Sequence, residues 1–364
     1  MRVDVAVAGG GPAGLALAIQ SAKRGLSTVV LERRASPLDK ACGEGLMPPG
    51  LRQLELLGAR DRIDPEECAP FEGIRYVQED GSFAEARLPG CGGLGIRRIA
   101  LIRALASRAR EVGAELRHQS PVLRHRRTPA SVLIETPDAQ VEAKVLIAAD
   151  GLLSPLRRAE GLERHSQAPR RFGLRQHYRV TPWSKCVEVH LCEVAEAYVT
   201  PAGPGRVGVA FLWDVDRLDE RASVTLLRSH FPALQKHLES AEADSEPRGA
   251  GPLSQKSSAR TLDRFVLIGD AAGYVDAITG EGLSLAFACA ATLGELLPRA
   301  IAQGATREAL LSYERDFARR FRKYALSARA LVSLARHPAL RRPVVRGLSR
   351  HPKLFESLIR RFSF

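Results

Sequence analysis

Aromatic residues are scarce in this 364-residue chain: Phe, Trp and Tyr make up 5% of it, with two tryptophans. A nucleic-acid surface that stacks bases on aromatic rings has little to build on, and no nucleic-acid module stands out. The net charge of +13 is therefore read first as a solvated basic surface. The six cysteines, at 42, 68, 91, 186, 192 and 289, include no C-x-x-C pair. The nine histidines make no metal-ligand pair at helical spacing, so free thiols in a reducing compartment and no metal are expected. No stretch reads as a bilayer span, and Met1-Arg2-Val3-Asp4 runs straight into a strand, which leaves no room for a signal peptide. A cytoplasmic location is the expectation.

What the chain does have is length, glycine in the right places and an apolar fraction of 45%. At this size one core is not enough, and two intertwined domains are expected. Near the start, Val3-Asp4-Val5-Ala6-Val7-Ala8 reads as a buried parallel strand and Leu15 to Ala22 as a helix. Between them lies Gly9-Gly10-Gly11-Pro12-Ala13-Gly14, a dinucleotide fingerprint. Gly9 permits the tight turn, Gly11 lets backbone approach a pyrophosphate, and Gly14 lets helix and strand pack closely. The pyrophosphate then meets unpaired N–H groups at the start of the helix.

A second strand, Ser27 to Leu31, ends at Glu32, placed to accept the hydroxyl protons of an adenosine ribose. That carboxylate suits FAD or NAD better than NADP, although Arg33 and Arg34 soften the preference. Two later segments choose FAD. Ala149-Asp150-Gly151 follows the apolar run Lys144 to Ala149, and Gly269-Asp270 follows Arg264 to Ile268, each at the carboxyl end of a strand, where ligands of open α/β sheets bind. Asp270 can hold a ribityl hydroxyl. Gly280-Glu281-Gly282 opens a helix at Leu283, whose first N–H groups suit the negative charge that collects at N1 and O2 of a reduced flavin.

These motifs, in this order, resemble the flavoproteins of the para-hydroxybenzoate hydroxylase superfamily, which includes aromatic hydroxylases, halogenases and geranylgeranyl reductases. The resemblance spans nearly the whole chain. It implies that Asp150 serves both FAD and NAD(P)H, that Arg98 lies over the FAD pyrophosphate, and that Val122, on the strand after the Arg98 helix, offers backbone to the adenine. Lys40-Ala41-Cys42-Gly43-Glu44-Gly45 and the Gly269 to Gly282 stretch are similar to the reductase branch. Tyr198-Val199-Thr200-Pro201-Ala202-Gly203 departs from it, because valine, threonine and alanine stand where that branch has aromatics. Trp183 and Trp213 lie far apart in sequence, which removes the halogenase reading.

The expected fold is α/β, α+β overall: a Rossmann-type FAD-binding domain with an inserted antiparallel β-sheet substrate domain and C-terminal helices. The FAD-binding domain takes residues 1–70, 95–165 and 255–305, the substrate domain 71–94 and 166–254, and the helical region 306–364. Alternation in 187–191 and 205–210 predicts strands with one face covered. Prolines at 338 and 352 are expected to break the C-terminal helix. Its basic amphipathic segments permit peripheral membrane contact, but packing on the protein itself is the preferred reading.

On this view the protein is an FAD-dependent oxidoreductase reduced by NAD(P)H. Monooxygenation of a hydrophobic or aromatic small molecule, with dioxygen activated at the flavin C4a, is favoured over alkene reduction and over an FAD-binding module without turnover. Tyr198, Thr200 and Pro201 are the candidate substrate wall. Cys42 and Glu44 are the candidate chemical residues: a thiol can pack on or react beside a flavin, and a buried carboxyl can move a proton. Core packing for the cysteine and an arginine partner for the glutamate are the plainer alternatives. Sequence leaves the oligomeric state unknown.

Overall fold

The computed structural model describes residues 1–166, 168–219 and 221–362. Short apolar strands alternating with helices build a parallel sheet. Arg2–Ala8 is flanked by Thr28–Leu31 and Gln140–Ala148; Glu115–Arg117 lies beyond the first and Phe265–Leu267 beyond the second, all parallel. Val5, Ala6, Val7, Val145, Leu146 and Ile147 have no exposed surface, as strands covered on both faces require. Helix Pro12–Ala22 packs against helices Arg98–Glu111 and Gly282–Ala302. The chain leaves Arg2–Ala8 toward one neighbour and returns later on its other side, so a crevice opens at the carboxyl ends of Arg2–Ala8 and Gln140–Ala148.

A second large sheet stands across that crevice, in the order Glu242–Ala243, Arg171–Arg179, Arg206–Asp214, Ala195–Gly203, Cys186–Leu191, Gly73–Val77, Phe83–Arg87. Its pairs are antiparallel except Cys186–Leu191 with Gly73–Val77. The alternating pattern predicts one wet face, but Cys186–Leu191 is buried at every position. Arg75 and Trp183 hydrogen-bond Glu188 on the far side, and His190 bonds the same carboxylate. Farther along, helices Val224–Ser229 and Pro232–Leu238 lay Leu227, Leu234 and Leu238 on Val207, Val209 and Phe211. Periodicity within one strand does not register what another segment brings to its polar side.

A small sheet of Gly45–Leu46, Gly93–Ile96 and Cys68–Phe71 joins the two halves. Val122 is not on a strand: it lies in the connection between Glu115–Arg117 and Arg124–Arg127, where Pro121 has no N–H to give a ladder. The C-terminal helices Arg307–Arg336, Pro338–Arg350 and Pro352–Phe362 break at the expected prolines. Their apolar stripe caps the protein's own hairpin, with Val345 and Phe355 against Ala84 and Ala86. Arg341, with no exposed surface, donates to Gln78, Glu79 and the carbonyls of Cys192 and Ala335.

One sequence expectation needs correcting. Gly282–Ala302, at 21 residues and a mean hydropathy of 1.4 in its most apolar window, is long and apolar enough to cross a membrane. It earns that composition as a core helix: Leu285, Phe287, Cys289, Leu293 and Leu297 are buried beneath helices Pro12–Ala22, Pro48–Leu57 and Arg307–Arg336.

Candidate functional site

A cavity of about 250 Å³ occupies the crevice. On the parallel-sheet side it is lined by Gly11, Pro12, Ala13, Arg98, Asp270, Gly280, Gly282 and Leu283, and on the other by Tyr198 and Thr200, with Cys42 and Glu44 between. Sequence-distant motifs thus meet at one surface. Gly9 has φ +113°, and a Cβ there would collide with the Ala149 carbonyl; a Cβ at Gly14 would collide with the Gly9 carbonyl. At Gly11 a Cβ would meet nothing within 4 Å, so this backbone faces open space. Arg98 Nη1 is buried without a hydrogen-bond partner among the described residues. A guanidinium left unpaired beside helix N–H groups and bare backbone is suited to a pyrophosphate.

Glu32, 6% exposed, accepts from Gly10 N–H at 2.7 Å and Arg34 N–H at 2.9 Å. It lines a smaller neighbouring cavity, which shares Leu38 and Ile102 with the main one. Its carboxylate therefore shapes the glycine turn as well as lining that small cavity. Arg33 is exposed. Asp150 itself does not line the cavity, although its neighbours Ala149 and Gly151 do; its Oδ2 accepts from Leu156 N–H at 3.1 Å and its Oδ1 is buried without a hydrogen-bond partner among the described residues. Burial pushes the Asp150 carboxyl upward against the hydrogen bonds of Ser154 and Leu156. Val122 packs half-buried on the core and lines neither cavity.

A family model described as FAD binding domain matches residues 2–327. The chain belongs to the FAD-binding-domain family. It is 29% identical over 357 residues to digeranylgeranylglycerophospholipid reductase 2 of Methanopyrus kandleri, spanning 92% of this chain and 87% of that protein. It is 27% identical over 316 residues to a menaquinone reductase of Mycobacterium tuberculosis, spanning 81% and 76%. Its fold matches p-nitrophenol 4-monooxygenase PnpA of Pseudomonas putida with a TM-score of 0.85 at 22% identity, over 99% and 98% of the two chains. The protein is thus an FAD-dependent oxidoreductase by family, with the fold of the para-hydroxybenzoate hydroxylase-like flavoproteins.

In this flavoprotein the hydroxyls of Tyr198 and Thr200, on strand Ala195–Gly203, are turned to structural use. Thr200 Oγ1 donates to the Gly43 carbonyl at 2.8 Å, and Tyr198 OH to the Ile278 carbonyl at 3.0 Å. Burial holds the Tyr198 phenol well above its ordinary range, so it stays protonated. Pro201 is buried in the strand and does not line the cavity. Cys42 is a half-buried free thiol whose Sγ accepts from Glu44 N–H at 3.4 Å.

Sequence reading missed the groups that hold these loops. Glu44 is consumed by Arg98 N–H at 2.8 Å and His177 Nε2 at 2.6 Å, with Arg175 Nε 3.8 Å away. Arg171 Nε donates to Asp276 Oδ2 at 2.9 Å, and its Nη2 to Glu196 Oε2 at 2.6 Å. Asp276 in turn accepts from Ile278 N–H at 3.0 Å, which ties the second large sheet to the loop before Gly280. The strand itself holds one hint: Arg171, Arg175 and His177 stand on one face of it, an unusual content for a strand otherwise suited to burial.

Proposed function

We propose that the protein is an NAD(P)H-dependent FAD monooxygenase acting on a small hydrophobic or aromatic molecule. The observation that carries this reading is the wall opposite the FAD motifs. Ile74, Leu174, Val187, Val189, Ala210 and Leu212 line it, and the hydroxyls of Tyr198 and Thr200 beside them are bonded to backbone carbonyls. Such a wall gives water few partners and an apolar substrate many contacts.

Bound FAD would supply the electrons taken from NAD(P)H and the site of dioxygen activation. This chain's residues bind and orient it. Gly11, Ala13, Arg98 and the N-terminus at Gly282 and Leu283 supply N–H and guanidinium donors, Pro12 supplies apolar contact, Glu32 and Asp270 supply acceptors, and the Ala149 to Gly151 backbone completes the floor. The sheet wall excludes water so that reducing equivalents reach substrate.

Alkene reduction is the second reading. The named reductases are relatives in sequence, and Cys42 places a thiol on the cavity wall, from which a proton can be delivered. Turnover under labelled dioxygen separates the two. With phenols of increasing alkyl length, monooxygenation predicts one labelled oxygen in product for each NAD(P)H consumed. Product formed without dioxygen, from isoprenoid alkenes and slowed by Cys42→Ser, would establish the reductase instead.

A further inference from the structure

We propose that His177 is a positioning residue for FAD, acting through Glu44 on Arg98. The inference rests on FAD occupying the cavity and adds a residue to that site which touches neither cofactor nor substrate.

Glu44 is 3% exposed and has φ +60°. A left-handed conformation in a non-glycine residue is strained and persists only where its surroundings enforce it. Here both carboxylate oxygens are held. Oε1 accepts from the backbone N–H of Arg98, the first residue of helix Arg98–Glu111, and Oε2 is 2.6 Å from His177 Nε2. His177 is itself 1% exposed. Its Nδ1 lies 3.0 Å from Arg175 Nη1 and 2.9 Å from Ser245 Oγ. A guanidinium only donates, so Nδ1 accepts and the ring hydrogen sits on Nε2, directed at Glu44.

Arg175 is anchored in turn by Asp39 and by the Lys40 carbonyl at 3.5 Å, and Arg248 reaches the other Asp39 oxygen at 3.4 Å. The neighbouring strand makes room for the pair: a Cβ at Gly208 would sit 3.2 Å from Glu44 Oε2 and 3.5 Å from His177 Cδ2.

The consequence is mechanical. The Cys42 to Gly45 loop and the start of the Arg98 helix come from different parts of the sequence, and the Glu44 carboxylate joins them. His177 fixes that carboxylate to the substrate sheet. The direction of the Arg98 guanidinium, whose Nη1 is unpaired at the cavity, follows from where its helix begins. A shift of that turn would misaim the donor, and charge-assisted hydrogen bonds fall away steeply with poor geometry.

FAD titration of apoprotein, read by flavin fluorescence, tests this. His177→Leu is expected to weaken FAD binding roughly tenfold or more, and His177→Gln, whose amide N–H can reach Glu44, about threefold or less. In an Arg98→Ala background His177→Leu should change affinity by less than about twofold, because the effect passes through the guanidinium. Equal fold-losses in both backgrounds, or unchanged affinity in His177→Leu, would overturn the proposal. If circular dichroism shows that His177→Leu does not fold, Glu44→Gln is measured in the same two backgrounds with the same expectations. Failure of the unaltered protein to bind FAD would refute the cofactor reading, a separate result.

Discussion

Glu32 carries more than its sequence position suggests. The acid after the second strand is placed to meet a ribose, yet its oxygens also accept the N–H groups of Gly10 and Arg34. Glu32→Ala removes the acceptor of a buried N–H, a loss of about 1–3 kcal/mol. Both the apoprotein melting temperature and FAD affinity are therefore expected to fall, with Glu32→Gln milder because its amide oxygen can still accept from Gly10. Calorimetry of the apoprotein and flavin titration check the pair; a loss of affinity without a loss of stability would confine Glu32 to the ribose. Cys42 and Glu44 show the opposite pattern. Their identity is legible, but the role of Glu44 depends on Arg98 and His177, 54 and 133 residues away, and no local pattern assigns His177.

At the scale of elements, the loop between Gly269 and Gly282 is set by the sheet opposite it. Arg171 is 4% exposed and holds two buried acids, Glu196 and Asp276. Burial pushes both carboxyls upward and Arg171 draws them back. Arg171→Met strands two buried carboxyls, and breaking such a pair destabilises by about 3–5 kcal/mol. Denaturant unfolding should show that loss, and it should shrink as the pH falls and the stranded acids protonate. The strands and the late helix are readable because each is a local run of apolar residues beside a glycine turn. The small sheet at Gly45, Cys68 and Gly93 is not, because its strands are too short to carry a period.

For the whole molecule, acid stability contains a contribution from the covered face of the second sheet. Burial favours the neutral form of Glu188, but hydrogen bonds from His190 and Trp183 and the charge of Arg75 prevail and lower it to about 2. A folded pKa below the unfolded 4.5 gives stability that is complete above pH 4.5 and lost as the pH falls toward 2. The shift corresponds to about 3 kcal/mol at most. Glu188→Gln should flatten this part of the stability profile in equilibrium unfolding between pH 5 and 2; an unchanged slope would remove Glu188 from acid unfolding.

Sequence by itself determined the fold class, the FAD family and the backbone turns that line the cavity, since glycine turns, strand ends and helix starts are properties of contiguous residues. Tertiary structure alone decided which side chains remain free at the cavity. It committed Glu44 to His177 and Arg98, and left Arg98 Nη1 unpaired. Hydrogen bonding and desolvation depend on neighbours in space, and those neighbours arrive from strands far apart in the chain.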